Sequence, residues 1–121
     1  MIIAAWTGTI SAMLLGVLPV QIVVVSGPSM VPALYDGDHL LVWRAARVRP
    51  GDVVLARFAS LPGLLVVKRA VRPAGPGWQL ASDNDFAGGD SRTHGPGEVL
   101  GRVLLRWPRG SLRPRRLARR G

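Results

Sequence analysis

Turn-forming residues recur at short intervals along most of this chain, and this spacing limits it to short secondary-structure elements. Fifteen glycines and ten prolines stand among 121 residues, and both residue types interrupt long helices. Between the turns lie apolar runs that predict strands, over residues 20–25, 39–43, 52–58, 64–71, 77–81 and 98–107. The sequence therefore predicts a mainly β fold, a compact antiparallel sheet within one domain over residues 20–108.

The N-terminal segment is the exception, because residues 1–25 carry no charged side chain. Ala, Leu, Met and Gly dominate from Ile2 to Leu18 and Pro19 follows, which predicts one hydrophobic helix over residues 1–19. The residues from Ile2 to Leu18 reach roughly 25 Å as a helix, slightly short of a ~30 Å hydrocarbon core. We expect a single-pass anchor in the cell membrane, in contact with lipid. A cleaved signal peptide is the alternative, against which the positively charged n-region is missing.

The net charge of +9 is concentrated at the C-terminal end. Residues 109–121 contain six arginines and no acidic residue, so we expect a disordered tail that is solvated or contacts anionic lipid. No motif or aromatic pattern supports a nucleic-acid partner. The chain has no cysteine, which excludes thiolate metal sites, and the two separated histidines, His39 and His94, predict no zinc site. No cofactor is expected.

One serine and one lysine form a candidate catalytic pair. The apolar strand over residues 20–25 ends in a sharp turn, which lifts the hydroxyl of Ser29 out of the sheet. Lys68 lies in the apolar run 64–68 and is the single lysine among 16 basic residues. Because arginine stays protonated whereas a buried lysine can lose its proton, Lys68 is a candidate general base. The two residues predict a Ser–Lys dyad; the alternative is that Lys68 is a surface residue of a strand.

Four sequence blocks occur in an order that resembles the type I signal peptidases. The blocks are Ser26 to Pro32 with Gly37-Asp38, Arg49 to Val54, Val67-Lys68-Arg69, and Ser82-Asp83-Asn84 with Gly89-Asp90-Ser91-Arg92. The resemblance spans about residues 22–105. It implies a membrane-anchored serine endopeptidase on a mostly β scaffold, in which Ser29 is the nucleophile and Lys68 is the general base.

The resemblance also implies how the oxyanion of the reaction is held. Some members of the family supply an oxyanion-hole hydroxyl two residues before the nucleophile, where this chain has Gly27. Backbone N–H groups would therefore hold the oxyanion, chiefly that of Ser29 itself. Ser26 is a further hydroxyl candidate, and Met30 is a supporting residue.

Charged residues of the later blocks are expected to hold the geometry of the dyad rather than to take part in catalysis. The expected structural ion pairs are Arg69–Asp83 and Asp90–Arg92; ordinary surface pairs are the alternative. Many bacterial members orient the lysine with a serine where this chain has Gly88, so Lys68 must be held otherwise. At Ser82 the family usually has glycine.

The implied reaction is the removal of signal peptides or propeptides after small residues, with the preprotein or proprotein bound as an extended strand. A closer resemblance, to the proteases that mature nickel-type superoxide dismutase, gives an alternative function, removal of the N-terminal propeptide of that enzyme. Arg44, Arg47 and Arg49 follow the predicted anchor and favour a cytoplasmic catalytic domain, whereas signal peptidases need the outer face. A self-cleaving repressor-type module and an inactive tethered β-domain are further alternatives.

Overall fold

A computed structural model describes residues 2–5, 20–27, 30–44, 47–84, 91–108 and 113–117 of the chain. This part of the chain contains eight strands and one short helix. In chain order the elements are β1 (Ile2–Ala5), β2 (Val20–Ser26), β3 (His39–Trp43), β4 (Val53–Phe58), β5 (Leu65–Ala74), β6 (Gly77–Ala81), α1 (Ser91–His94), β7 (Gly97–Trp107) and β8 (Arg115–Arg116).

The strands form one sheet, and each pairing among the described residues is antiparallel. The strand order is β1-β2-β3-β7-β4-β5-β6, and β1 also pairs with β5. This second pairing closes six strands into a ring, because β1 then lies between β2 and β5. The mainly antiparallel β fold that the sequence predicts is confirmed.

Strand β4 lies at the centre of the packing and is buried on both faces. Val53 and Leu55 belong to one core cluster, whereas Val54, Ala56 and Phe58 belong to a second. Successive side chains of a strand point to opposite faces of the sheet, so β4 contributes alternately to the two clusters. Burial on both faces explains why residues 53–56 form a continuous apolar run without a clear alternation.

The N-terminal helix expected from the sequence is not supported. Ile2–Ala5 form strand β1 and pair with β2 and β5, while residues 6–19 lie outside the described part of the chain. An uncharged segment satisfies its backbone N–H and C=O groups in a sheet as well as in a helix, and β1 has a paired strand on each side. Within the described ranges, no helix combines the length and the apolar character needed to cross a membrane.

The C-terminal tail also differs from the expectation of disorder at one place. Arg115–Arg116 form β8, which pairs with Leu105 and Arg106 of β7. Strand β4 pairs with β7 only as far as Arg102, so the last residues of β7 have backbone groups available for another strand. The rest of the tail, apart from residues 113–117, lies outside the described residues.

Candidate active site

Lys68 is fully buried in the middle of β5. Val66 and Ala70 stand two residues to either side of it, so they share its face of the strand, and both belong to the second core cluster. The Nζ atom donates a hydrogen bond to Oγ of Ser82 over 2.8 Å. The surroundings are therefore apolar along the stem of the side chain, with a hydroxyl at the amine.

Ser82 reaches Lys68 because of an irregularity between β5 and β6. Near the hairpin turn Ala74 pairs with Gly77, but farther from the turn Arg69 pairs with Ala81, after a register shift between Ala70 and Arg72. Continued one residue beyond the Arg69–Ala81 pair, this register sets Ser82, which directly follows β6, opposite Lys68. Residues in such a cross-strand pair point to the same face, which brings the hydroxyl to the amine.

Arg69 points to the opposite face of β5 and binds two turns of the chain. Its Nη2 and Nε donate to the two carboxylate oxygens of Asp83 over 2.6 and 3.2 Å, and its Nη1 donates to the carbonyl of Gly51 over 3.0 Å. The side chains are 9% and 4% exposed, so this ion pair is shielded from water. The guanidinium thus joins the turn before β4 to the turn after β6. These two strands flank β5, the strand that carries Lys68.

The segment that leads to the candidate nucleophile is fixed at the end of β2. Gly27 has a φ of 92°, a left-handed conformation that glycine adopts without strain. Its N–H donates to Oδ1 of Asp36 over 2.9 Å, and the N–H of Gly37 donates to the carbonyl of Val25 over 2.8 Å. Ser29 itself lies outside the described residues.

Met30 resumes the described chain directly after Ser29. Its side chain is completely buried in the first core cluster, where Val67 of β5 also lies. Its Sδ accepts a hydrogen bond from the N–H of Asp83 over 3.4 Å. The chain that resumes at Met30 is therefore packed against the turn that follows β6.

The remaining residues singled out from the sequence are placed as follows. Ser26 is exposed at the end of β2, and Arg92 is exposed in α1. Asp90 lies outside the described residues, so the expected Asp90–Arg92 pair stays a prediction. Within the described ranges, no group of three His, Cys, Asp or Glu side chains is arranged to hold a metal ion.

Three polar residues with structural contacts near this site were not assigned a role from the sequence. Ser82 binds Lys68, Asp36 holds Gly27, and Oγ of the buried Ser91 accepts from the N–H of Leu80 over 2.8 Å. Ser91 stands inside a family-like block and Asp36 inside a turn, which are the signals that point to them. Ser82 also stands inside a family-like block, but its contact with Lys68 depends on the register of two strands, which the block does not reveal.

Comparisons with known proteins define the class as a peptidase. A family model described as Peptidase S24-like matches residues 11–104. The chain therefore belongs to the Peptidase S24-like family, and its resemblance to the type I signal peptidases is confirmed at that level. Mitochondrial inner membrane protease subunit 1 of Xenopus tropicalis is 29% identical in an alignment that covers 78% of this chain and 73% of that protein.

Proposed function

We propose that the chain is a serine endopeptidase in which Ser29 is the nucleophile and Lys68 the general base. The observation that carries the proposal is the complete burial of the only lysine in the chain, beside the turn against which Met30 packs. Met30 follows Ser29 directly and contacts the backbone of Asp83, while Ser82, the preceding residue, contacts Lys68. Because consecutive Cα atoms are about 3.8 Å apart, the contact of Met30 with this turn supports a pairing of Ser29 with Lys68.

The register of the sheet supports the same pairing. Ile2 of β1 pairs with Ser26 of β2 on one side and with Val66 of β5 on the other. Ser26 and Val66 therefore lie at the same height along β1. Both flanking strands run antiparallel to β1 and therefore parallel to each other. Ser29 follows Ser26 by three residues and Lys68 follows Val66 by two, which favours a meeting of the two at one end of β1.

The mechanism follows from the chemistry of the two side chains. Burial disfavours the charged form of an amine, so a neutral Lys68 accepts the hydroxyl proton of Ser29 while Oγ attacks the substrate carbonyl. Lys68 returns that proton to the leaving amine as the peptide bond breaks, and water then hydrolyses the acyl-enzyme. The N–H of Gly27 is engaged by Asp36, so we assign stabilisation of the oxyanion to the N–H of Ser29.

The substrate is a preprotein or proprotein that binds as an extended strand and is cleaved after a small residue. Such a peptide pairs through its backbone with the edge of a sheet. The edges of β2 and β5 nearest the proposed dyad are both paired with β1. We name this position the β2–β5 slot, and we propose that a substrate enters it by displacing Ile2–Ala5.

A membrane setting is the third part of the proposal. The relative from Xenopus tropicalis is named as an inner membrane protease subunit. In this chain, residues 6–18 are uncharged and the C-terminal arginines are cationic, and both features favour contact with an anionic bilayer. Maturation of nickel-type superoxide dismutase is the second candidate function, which Gly88 and the small size of the chain favour.

Peptide cleavage by the purified full chain in detergent tests the proposal. The substrates are an Ala-rich peptide with a signal-peptide cleavage site and the N-terminal peptide of a nickel-type superoxide dismutase proprotein. We expect cleavage of one of them by the wild type and none by Ser29→Ala or Lys68→Arg, with wild-type rates for Ser60→Ala, an exposed serine that contacts His94. Full activity of Ser29→Ala or Lys68→Arg contradicts the dyad.

A further inference from the structure

We propose that Ser82 is the positioning residue of Lys68, and that its hydroxyl directs the amine toward the nucleophile. This inference rests on the proposed dyad and names the group that controls its base. The family resemblance leaves this role unfilled, because Gly88 replaces the serine that orients the lysine in many members. The hydroxyl comes instead from a position at which the family usually has glycine.

The contact between Lys68 and Ser82 is buried on both sides. Nζ of Lys68 and Oγ of Ser82 are 2.8 Å apart, the lysine is fully buried, and Ser82 is 8% exposed. Ser82 directly follows β6, whose last residue Ala81 pairs with Arg69 of β5, so the hydroxyl approaches the amine from the end of the neighbouring strand. Rigid elements hold a positioning group more exactly than loops do.

The backbone on both sides of Ser82 is also held in place. Two residues before it, the N–H of Leu80 donates to Oγ of Ser91. One residue after it, Asp83 receives the guanidinium of Arg69 and donates its N–H to Met30. Ser82 therefore has little freedom to move away from Lys68, and its hydroxyl is a fixed acceptor.

A fixed acceptor has a specific effect on a neutral amine. A neutral lysine has two N–H donors and one lone pair, and rotation about the last side-chain bond moves all three together. When Ser82 accepts one N–H, it limits this rotation, and the lone pair is left to face the proton of Ser29. In the protonated state the same oxygen accepts from the ammonium and stabilises the charge.

Two measurable consequences follow for Ser82→Ala. Loss of orientation lowers kcat by roughly 10- to 100-fold, since small misplacements of reacting groups cost about that much, while KM for the peptide changes little. Loss of an acceptor for the ammonium also lowers the pKa of Lys68, because the charged form loses a hydrogen bond. Ser82→Thr keeps the hydroxyl and restores most of both properties.

The test combines cleavage kinetics with an NMR titration of the full chain. Because Lys68 is the only lysine, labelling with lysine enriched in 13C at Cε and 15N at Nζ gives one side-chain signal that needs no assignment. Its pKa and the kcat are measured for the wild type, Ser82→Ala, Ser82→Thr and Ser91→Ala. The last variant removes the hydroxyl that holds the Leu80 backbone but leaves the Ser82 hydroxyl in place, so it reports the effect of a loosened backbone without loss of the acceptor.

The expected result is a lower kcat and a lower Lys68 pKa in Ser82→Ala, recovery in Ser82→Thr, and an unchanged Lys68 pKa in Ser91→Ala. A wild-type kcat and pKa in Ser82→Ala overturn the inference and leave the proposed function intact. Equal changes in Ser82→Ala and Ser91→Ala overturn it too, because they indicate a structural effect. An inactive wild type refutes the proposed function and the positioning role, whatever the titration shows.

Discussion

Breaking the ion pair between Arg69 and Asp83 is expected to destabilise the fold strongly. Arg69→Met removes three charge-assisted hydrogen bonds, two to Asp83 and one to Gly51. It leaves a carboxylate that is only 4% exposed without its guanidinium partner. Losing one member of a buried pair costs about 3–5 kcal/mol. For a chain of this size we expect about 3–4 kcal/mol, or a fall in Tm of roughly 10–15 °C.

The assay is denaturant and thermal unfolding, with two comparison variants. Arg57→Met breaks the Arg57–Glu98 pair, whose side chains are 40% and 65% exposed, and is expected to cost no more than about 0.5 kcal/mol. The double variant Arg69→Met/Asp83→Leu removes both buried charges and is expected to regain most of the loss. A cost below about 1 kcal/mol for Arg69→Met refutes the reasoning, because it indicates a pair no stronger than a surface one.

Three further predictions test separate contacts. Ile3→Pro removes a backbone N–H within β1 and weakens its hold on the β2–β5 slot, so KM for an extended peptide falls; an unchanged KM contradicts substrate entry there. Asp36→Ala removes the acceptor of the Gly27 N–H and is expected to lower kcat by roughly tenfold, because the turn that carries the serine is then misplaced. An unchanged kcat contradicts a role of Asp36 in holding that turn. The free energy of unfolding of Lys68→Met is expected to lie at most about 1 kcal/mol below that of the wild type, or above it, since the change replaces a buried amine by an apolar side chain of similar length. A loss above about 3 kcal/mol shows that the amine is structural.

The strands that follow the first turn were predictable because local signals bound each of them. β3 and β6 have the predicted limits, and β4 differs by one residue at its start. Each of them starts at a glycine or within two residues of one, at Gly77, Gly37 and Gly51, so the information lies within a few residues of the boundary. The family was predictable for a similar reason, since its blocks are short and occur in order.

The N-terminal strand was not predictable from local sequence. Ile2–Ala5 is uncharged and continues into further apolar residues, a pattern that favours a membrane helix. Its strand conformation depends on pairing with β2 and with β5, the second of which lies more than 60 residues away in the chain. Apolar composition alone does not distinguish these outcomes.

The partner of Lys68 was missed for a geometric reason. A hairpin without irregularity, counted from the Ala74–Gly77 pair, sets Lys68 opposite Asp83. The register shift between Ala70 and Arg72 moves the pairing by one residue and sets Ser82 there instead. A one-residue shift exchanges the faces of all side chains beyond it, and the sequence carries no clear signal for this bulge.

The pKa of Lys68 is the measurement that tests the central claim most directly. Titration of the single labelled lysine signal in the wild-type chain reports it without any activity assay. A general base must be neutral at the working pH, so the account predicts a pKa well below the usual value of about 10.4, as desolvation of a fully buried amine requires. A pKa at or above that value contradicts the account, because Lys68 is then an ammonium that cannot accept the proton of Ser29.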